Sequence, residues 1–497
     1  MSDVQRRYRF GPLERRGRVG NLGPSHLATL LGGGALTLLL LSTARGPFGV
    51  LAAFLVATAS AGLCFVPVAG RTTVEWAPIL AGFQARSLRG RDRWSSPAPT
   101  TGAKLTRGGD VVAGDPVAPD ALRGVEILSV DFRGGQVGVL KESRGGYLTA
   151  VLAVRVGSFG LLSTADQEAR LAGWGGVLAA IAREGSPVRR VQWIERTAPA
   201  TGTEINEHFA THWNQTTAPE NSLAVRAYVE LIAAAPTVTR EHELLLAIQI
   251  DPARLPRATR RDRAKRGESV NVVLLGEVEF LAERLRHADI EIRGLLTPTA
   301  LARALRVGFD PFQRKPSSDS GAENGSLDAW PTATHDQWGT YRTDGALHAT
   351  YWVSAWPKTD VGPSFLAPLL LQADAVRTVA MTLAPQPPGQ AIRQAEAART
   401  ADAADRHVRS RMGFLTTARH RQTEDAAARR EDELASGHAA IRFTAFVTVT
   451  ARTGEELERS CTSIEHAASM ARLELRRLSG QQPEAFTYTL PLCRGLK

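Results

Sequence analysis

Two uncharged stretches near the N-terminus decide how this chain folds: LATLLGGGALTLLLLSTA at residues 27–44 and FGVLAAFLVATASAGLCFVPV at residues 48–68. At a rise of about 1.5 Å per residue, each stretch is long enough as a helix to cross, or nearly cross, a hydrocarbon core about 30 Å thick. Arg45, Gly46 and Pro47 separate the stretches and predict a tight turn. Together they predict a transmembrane helical hairpin over residues 27–68.

Small residues favour close packing of this hairpin. The first stretch contains three successive glycines at residues 32–34, and the second is rich in alanine, a composition that lets membrane helices approach each other. A cleaved signal peptide is disfavoured, because many polar residues precede the first stretch and a second stretch follows at once. A buried helix pair in a soluble protein is the other alternative, and it stays open.

Arginines flank the hairpin on both sides and predict its orientation. Because positive flanks stay on the cytoplasmic side, both termini are predicted to be cytoplasmic, in a multi-pass protein of the inner (plasma) membrane. The same side chains could bind anionic lipid. The basic residues singled out as membrane-flanking are Arg15, Arg16, Arg18, Arg71, Arg86 and Arg89.

Length and composition predict large folded regions beyond the hairpin. The chain has 497 residues, 43% of them hydrophobic, with a net charge of +10, and its length suggests about three domains. The excess of arginine is explained either by composition bias or by an anionic partner such as nucleic acid or lipid. The three cysteines lack the spacing of a disulfide framework or a zinc site.

Alternating strand-like and helix-like patterns follow the hairpin and predict an α+β fold class with ferredoxin-like α/β cytoplasmic units. Residues 74–83 are too short to span a membrane and suit an interfacial, juxtamembrane position. The predicted organisation is a basic cytoplasmic tail at 1–26, a juxtamembrane segment and linker at 69–122, a first α+β domain at 123–315, and a second α+β domain at 325–497 that includes a long polar helical hairpin at 390–436.

Motifs that carry chemistry are missing from the sequence. No GxxxxGK[ST] phosphate loop occurs. His208 and His212 are spaced for one helical face, but Phe209 stands where a metallohydrolase would need glutamate. We therefore predict no catalytic residues, no cofactor and no metal, and a protein that is not an enzyme.

A group of aromatic residues in the C-terminal half has two interpretations. Trp338, Tyr341 and Trp352 belong to a cluster that also contains Trp330, Tyr351 and Trp356. Half-buried tryptophans of a β-sheet core explain the cluster best. The alternative is that the rings stack on nucleic acid bases, which would suit a membrane-bound nucleic-acid-binding protein.

Several short motifs resemble a known family. They include YRFGPLERRG at residues 8–17, GSFGLL at 157–162, WIER at 193–196, WGTYRTD at 338–344, YWVSAWP at 351–357 and RSRMGFL at 409–415. In order and context they resemble actinobacterial integral membrane proteins encoded beside ATPases of type IV secretion or conjugation systems. In that resemblance the hairpin is like the short membrane subunit, and the rest is like the non-ATPase part of the secretion ATPase.

The resemblance implies a scaffold, because the motor domain of the secretion ATPase is missing from this chain. Such a scaffold would recruit an ATPase in trans, contact other membrane subunits and form homo- or hetero-oligomers. A membrane component of the type VII secretion system is the alternative, since such subunits also combine two N-terminal helices with a soluble domain.

Overall fold

The computed structural model describes most of the chain. The described residues are 8, 10, 24–44, 46–68, 70–96, 104–105, 111–112, 117–157, 159–199, 209, 211–213, 219, 222–234, 240–255, 266–312, 329–372, 374–411 and 439–496. The helices are α1 (Pro24–Thr43), α2 (Pro47–Phe65), α3 (Thr73–Leu88), α4 (Thr164–Ile181), α5 (Leu223–Ala234), α6 (Arg266–His287), α7 (Pro298–Phe309), α8 (Ala367–Leu370), α9 (Pro388–Arg411), α10 (Gly454–Met470) and α11 (Gln482–Phe486).

Within the described residues the strands form three sheets, and the largest has 13 strands. The strands are β1 (Pro67–Val68), β2 (Arg71–Thr72), β3 (Arg93–Ser95), β4 (Lys104–Leu105), β5 (Val111–Val112), β6 (Val125–Phe132), β7 (Gly135–Glu142), β8 (Tyr147–Arg155), β9 (Val188–Pro199), β10 (Arg240–Ile250), β11 (Glu291–Leu295), β12 (Ala333–Asp336), β13 (Tyr341–Thr343), β14 (Ala346–Ala355), β15 (Val376–Gln386), β16 (Ala440–Ala451) and β17 (Glu474–Arg477). The predicted α+β class is confirmed.

The first part of the large sheet is ferredoxin-like. Its elements follow the order β8-α4-β9-β10-α6-β11, and the strands lie side by side as β11-β8-β10-β9. This is the split βαβ arrangement that the alternating pattern predicts. The hairpin β6–β7 precedes it, with Arg133 and Gly134 at positive φ in the two-residue turn, as a type I′ turn requires. We call residues 125–309 the first repeat.

The same arrangement occurs a second time. The elements β14-α8-β15-β16-α10-β17 give strands in the order β17-β14-β16-β15, again after a hairpin, β12–β13. We call residues 333–477 the second repeat. The two repeats share one sheet because the equivalent strands β9 and β15 pair antiparallel, with Ile194 opposite Ala380. Antiparallel pairing of equivalent strands relates the repeats by a pseudo-twofold axis perpendicular to the sheet.

Helices cover one face of this sheet along both repeats. Helices α4 and α6 pack on the first repeat, and α8 and α10 on the second. Trp193 contacts both groups, so both helix pairs lie on the same face. Ile194, the next residue of β9, points to the opposite face, where α7 and the C-terminal residues form a separate core. The alternation follows from the two-residue period of a strand.

The C-terminal segment crosses the junction between the repeats. The side-chain amide of Gln192 donates to the carbonyl of Tyr488 at 2.7 Å, and its oxygen accepts from the backbone N–H of Cys493 at 2.8 Å. Thr382, in the second repeat, donates to the carbonyl of Arg494 at 2.9 Å. The C-terminal segment therefore links both repeats.

Some element boundaries differ from the sequence-based expectation. Helix α3 and strand β3 extend regular structure into the segment predicted as a linker. Helix α9 covers the first half of the predicted polar helical hairpin. Residues 412–438, which would hold its bend and second half, lie outside the described residues.

Candidate functional site at the membrane junction

Helices α1 and α2 form the predicted hairpin. Both are long and apolar enough to cross a membrane, and only 6% and 17% of their apolar windows are buried in the protein. Exposed leucines cover their outer surface, among them Leu38 and Leu55. A Cβ atom on Gly33 would collide with the side chain of Ser60, so this glycine permits the close approach that small residues predict.

A small polar cluster ends the hairpin. The Nε2 atom of His26, at the start of α1, lies 2.8 Å from the hydroxyl of Thr72. The thiol of Cys64, near the end of α2, is buried and contacts the carbonyl of His26. Thr72 also donates its backbone N–H to Glu75 Oε2 at 3.2 Å, which satisfies one free donor at the start of α3. The beginning of α3 is thus tied to the base of the hairpin.

Helix α3 binds the second repeat through one of its faces. The ring of Trp338 packs between Trp76 and Phe83, with ring centroids 5.9 and 5.2 Å apart. Gly480 donates its backbone N–H to the carbonyl of Trp338 at 2.6 Å and has a φ of 74°. A Cβ at Gly480 would lie 2.6 Å from the Trp338 ring and 2.8 Å from Ile79. Only glycine fits between the helix and the ring.

An ion pair completes this contact. Arg86 donates to one carboxylate oxygen of Asp336 through Nε at 3.1 Å and Nη2 at 3.0 Å, and Nη2 also donates to the carbonyl of Gly480 at 2.7 Å. Burial raises the pKa of Asp336 to about 6, against the opposing effect of Arg86. The side chain of Asp336 is 4% exposed. Arg86 therefore binds the protein rather than standing free in the membrane flank.

The segment before α1 also reaches the second repeat. Tyr8 and Val361 exchange two backbone hydrogen bonds, of 2.9 and 3.0 Å. The ring of Phe10 stacks on Trp356 with a centroid distance of 5.0 Å and touches Phe365. The YRFGP motif thus places two aromatic residues on the same repeat that binds α3.

The predicted membrane-flanking arginines have different environments. Arg71 lies over the ring of Trp76 at 5.3 Å, and Arg89 is exposed immediately after α3. Arg86 is engaged with Asp336, and its side chain is 37% exposed. Arg15, Arg16 and Arg18 lie outside the described residues. The sequence alone does not distinguish Arg86 from the other flanking arginines, because its partner Asp336 lies far along the chain.

The aromatic cluster belongs mostly to the core. Tyr341 is 3% and Tyr351 1% exposed, and Trp330 and Trp356 are also buried. The indole N–H of Trp352 donates to Thr444 at 3.1 Å, and Trp338 packs on α3. The core interpretation of these rings is supported, and Tyr341 does not present a face on which a base could stack.

Buried charges that sequence reasoning missed join the two repeats. Glu195 Oε1 accepts from the Thr197 hydroxyl at 2.7 Å and lies 2.8 Å from His242 Nδ1. The same oxygen is 3.7 Å from Arg377 Nη2, whose side chain is fully buried in the second repeat. Burial lowers the pKa of Arg377. Glu195 lies in the first repeat and Arg377 in the second, so this buried pair is a contact between the two repeats.

A buried histidine makes a second link. His348 is fully buried and its Nε2 lies 3.0 Å from the carbonyl of Phe309, the last residue of α7, which can only accept a hydrogen bond. Nε2 therefore carries the proton, and Nδ1 accepts from the Thr450 hydroxyl at 3.0 Å. Burial lowers the pKa of His348 to about 3. This imidazole is a neutral structural group.

Chemical groups suited to metal binding are not gathered in the described part of the chain. No group of three or more His, Cys, Asp or Glu side chains there is placed to hold a metal ion. Cys64, Cys461 and Cys493 are free, buried thiols. His212 is described, whereas His208 lies outside the described residues.

Part of the chain matches a known protein family. Residues 238–353 match the EccE family, described as a putative type VII ESX secretion system translocon. The matched stretch runs from β10 through α7 to β14, and so joins the end of the first repeat to the start of the second. No curated protein matches the chain.

The EccE match and the two apolar helices support a membrane component of a secretion system. Of the two secretion classes considered from the sequence, the match favours type VII. It lends no support to the link with type IV or conjugation ATPases. Because the match covers less than half of the chain, it is a similarity over these residues.

Proposed function

We propose that this protein is a non-catalytic membrane subunit of a type VII-like secretion translocon. The EccE match over residues 238–353 carries the proposal. Its matched residues include the region where the first repeat leads into the second, so the similarity concerns the large sheet rather than the hairpin. The hairpin anchors the sheet, and the sheet offers surfaces on which other subunits assemble.

Contacts on both sides of the hairpin support one topology. Phe10 precedes α1 and α3 follows α2, and both contact the second repeat. The two ends of the hairpin therefore emerge on one side of the membrane. Arginines on both flanks support a cytoplasmic location for that side, and Arg89 is exposed just after α3.

The chain contributes no motor of its own to this assembly. Transport energy would come from an ATPase in trans, and several copies or several kinds of subunit would form the translocon. The long polar helix α9 offers one surface for such partners, with Ile392, Arg393 and Gln394 exposed.

Co-purification from native membranes in mild detergent tests the proposal. The full-length protein should be recovered with type VII translocon subunits, identified by mass spectrometry. Leu55→Arg, near the middle of α2, should abolish recovery from membranes, because arginine at that depth costs about 3 kcal/mol. Leu161→Arg is the matched control, since Leu161 is 88% exposed in the first repeat.

Two results would overturn the proposal. One is recovery of type IV or conjugation subunits in place of type VII subunits. The other is repeated recovery of the intact membrane protein with no secretion subunit at all.

A further inference from the structure

The second repeat, with Gly480 just beyond it, contacts both segments that flank the hairpin. Phe10 stacks on Trp356, and α3 packs on Trp338 and Gly480. Strand β3, which follows α3, pairs with β12 at that end of the large sheet. The second repeat is thus fixed beside the base of the hairpin, and β6 of the first repeat lies at the opposite end of the sheet.

Helix α3 has two different faces. The face that packs on the second repeat contains Trp76, Ile79, Phe83 and Arg86. The other face is exposed and has helical spacing. We call it the outer face of α3, and its residues are Ala77, Leu80, Ala81, Gln84 and Leu88.

Composition of the outer face suits the boundary between headgroups and acyl chains. It has no charged residue, and Leu80 and Leu88 are 43% and 88% exposed. Exposed arginines follow immediately at Arg89, Arg91 and Arg93. An apolar stripe next to basic residues is the pattern of a helix that lies in the plane of an anionic membrane surface.

The position of α3 identifies what covers this face. Helix α3 contacts both α1 and α2, and the bond between His26 and Thr72 ties its first turn to the base of the hairpin. A helix that starts where the hairpin leaves the bilayer meets the membrane surface before any other surface.

We propose that the outer face of α3 lies in the headgroup–acyl boundary of the bilayer and holds the second repeat against the membrane. This inference rests on the proposed membrane insertion of the hairpin. Its consequence is an unequal role for two similar repeats. The second is the membrane-facing half, and the first is free at its far edge for other subunits.

Depth-dependent quenching in nanodiscs tests the inference on the full-length protein. Because the three native cysteines are buried, a fluorophore can be attached selectively to Leu88→Cys, to Leu55→Cys in the hairpin, or to Leu161→Cys. Leu161 is the matched control for Leu88, since both are 88% exposed. The discs contain phosphatidylcholine and phosphatidylglycerol, with a nitroxide either near the headgroup or deep in the acyl chain.

The expected pattern separates the three positions. The Leu88 label should be quenched at least about twofold more by the shallow nitroxide than the Leu161 label, and the Leu55 label most by the deep nitroxide. Equal, weak quenching at Leu88 and Leu161, together with strong quenching at Leu55, would overturn the inference. It would mean that a protein partner covers the outer face of α3, while the membrane insertion of the hairpin would still hold. Weak quenching at Leu55 would overturn the membrane anchor itself.

Discussion

Replacing Gly480 by alanine should loosen α3 from the second repeat. Two costs add at this position. Alanine at a φ of 74° is strained by about 1–2 kcal/mol. Its Cβ would also lie 2.6 Å from Trp338 and 2.8 Å from Ile79, an overpacking that typically costs about 1–3 kcal/mol.

Gly185→Ala provides a matched control, because Gly185 has a φ of 73° but open space around its Cβ. The control carries the backbone strain without the collision. Hydrogen–deuterium exchange of α3 amides in detergent measures the difference. The collision alone, about 1–3 kcal/mol, should accelerate exchange in α3 by roughly 5- to 150-fold over wild type, because opening of α3 relieves the collision and leaves the backbone strain at Gly480 in place.

The control should leave exchange in α3 unchanged, since its strain is in the first repeat. Equal exchange rates for α3 in wild type and Gly480→Ala would refute the reasoning, because they would show that the ring of Trp338 and the side chain of Ile79 do not confine this position.

Three further predictions concern pH and packing. The raised pKa of Asp336, about 6 against 3.8 for an ordinary aspartate, means that the folded state binds a proton at a higher pH than the unfolded state. This group therefore lowers stability as pH rises from about 4 to 6. Asp336→Asn should remove that slope from chemical denaturation curves, and an unchanged slope would contradict the prediction. The lowered pKa of His348, about 3 against 6.5, acts in the opposite direction: stability is full above pH 6.5 and falls by about 1.4 kcal/mol per pH unit below it. His348→Gln should flatten this fall in the same assay, and a variant as acid-sensitive as wild type would exclude the histidine as its cause. Gly33→Leu should separate α1 from α2 because of the collision with Ser60, seen as lost cross-linking between cysteines placed on the two helices, whereas Gly32→Leu, with open space around its Cβ, should retain it.

Local patterns in the sequence predict the individual elements well. The apolar stretches predict α1 and α2, and the turn at Gly46 and Pro47 lies where the hairpin bends. Period-2 and period-3.6 patterns likewise predict most strands and helices of the two ferredoxin-like units. These signals work because each is set by residues close together in the chain.

Pairing between distant strands could not be predicted in this way. The antiparallel pairing of Ile194 with Ala380 joins strands that are far apart in the chain. Strand β12 has only four residues and β13 only three. Such short strands depend on their neighbours in the sheet rather than on their own composition.

The candidate site was predictable in outline but not in its contacts. The basic flanks indicate a membrane junction, and residues 74–83 indicate an interfacial segment. Which arginine faces the protein depends on Asp336, and which glycine is essential depends on Trp338. The ion pair of Glu195 with Arg377 was missed for the same reason, since neither residue carries a local signal of its partner.

Anchoring by the hairpin is tested most directly by alkaline carbonate extraction followed by flotation. Membranes from cells that make the full-length chain are washed at high pH and layered under a density gradient. The protein should remain with the lipid and float, because α1 and α2 expose apolar side chains along their whole length. Release of the intact chain into the soluble fraction, with no detergent added, would contradict a lipid-embedded hairpin.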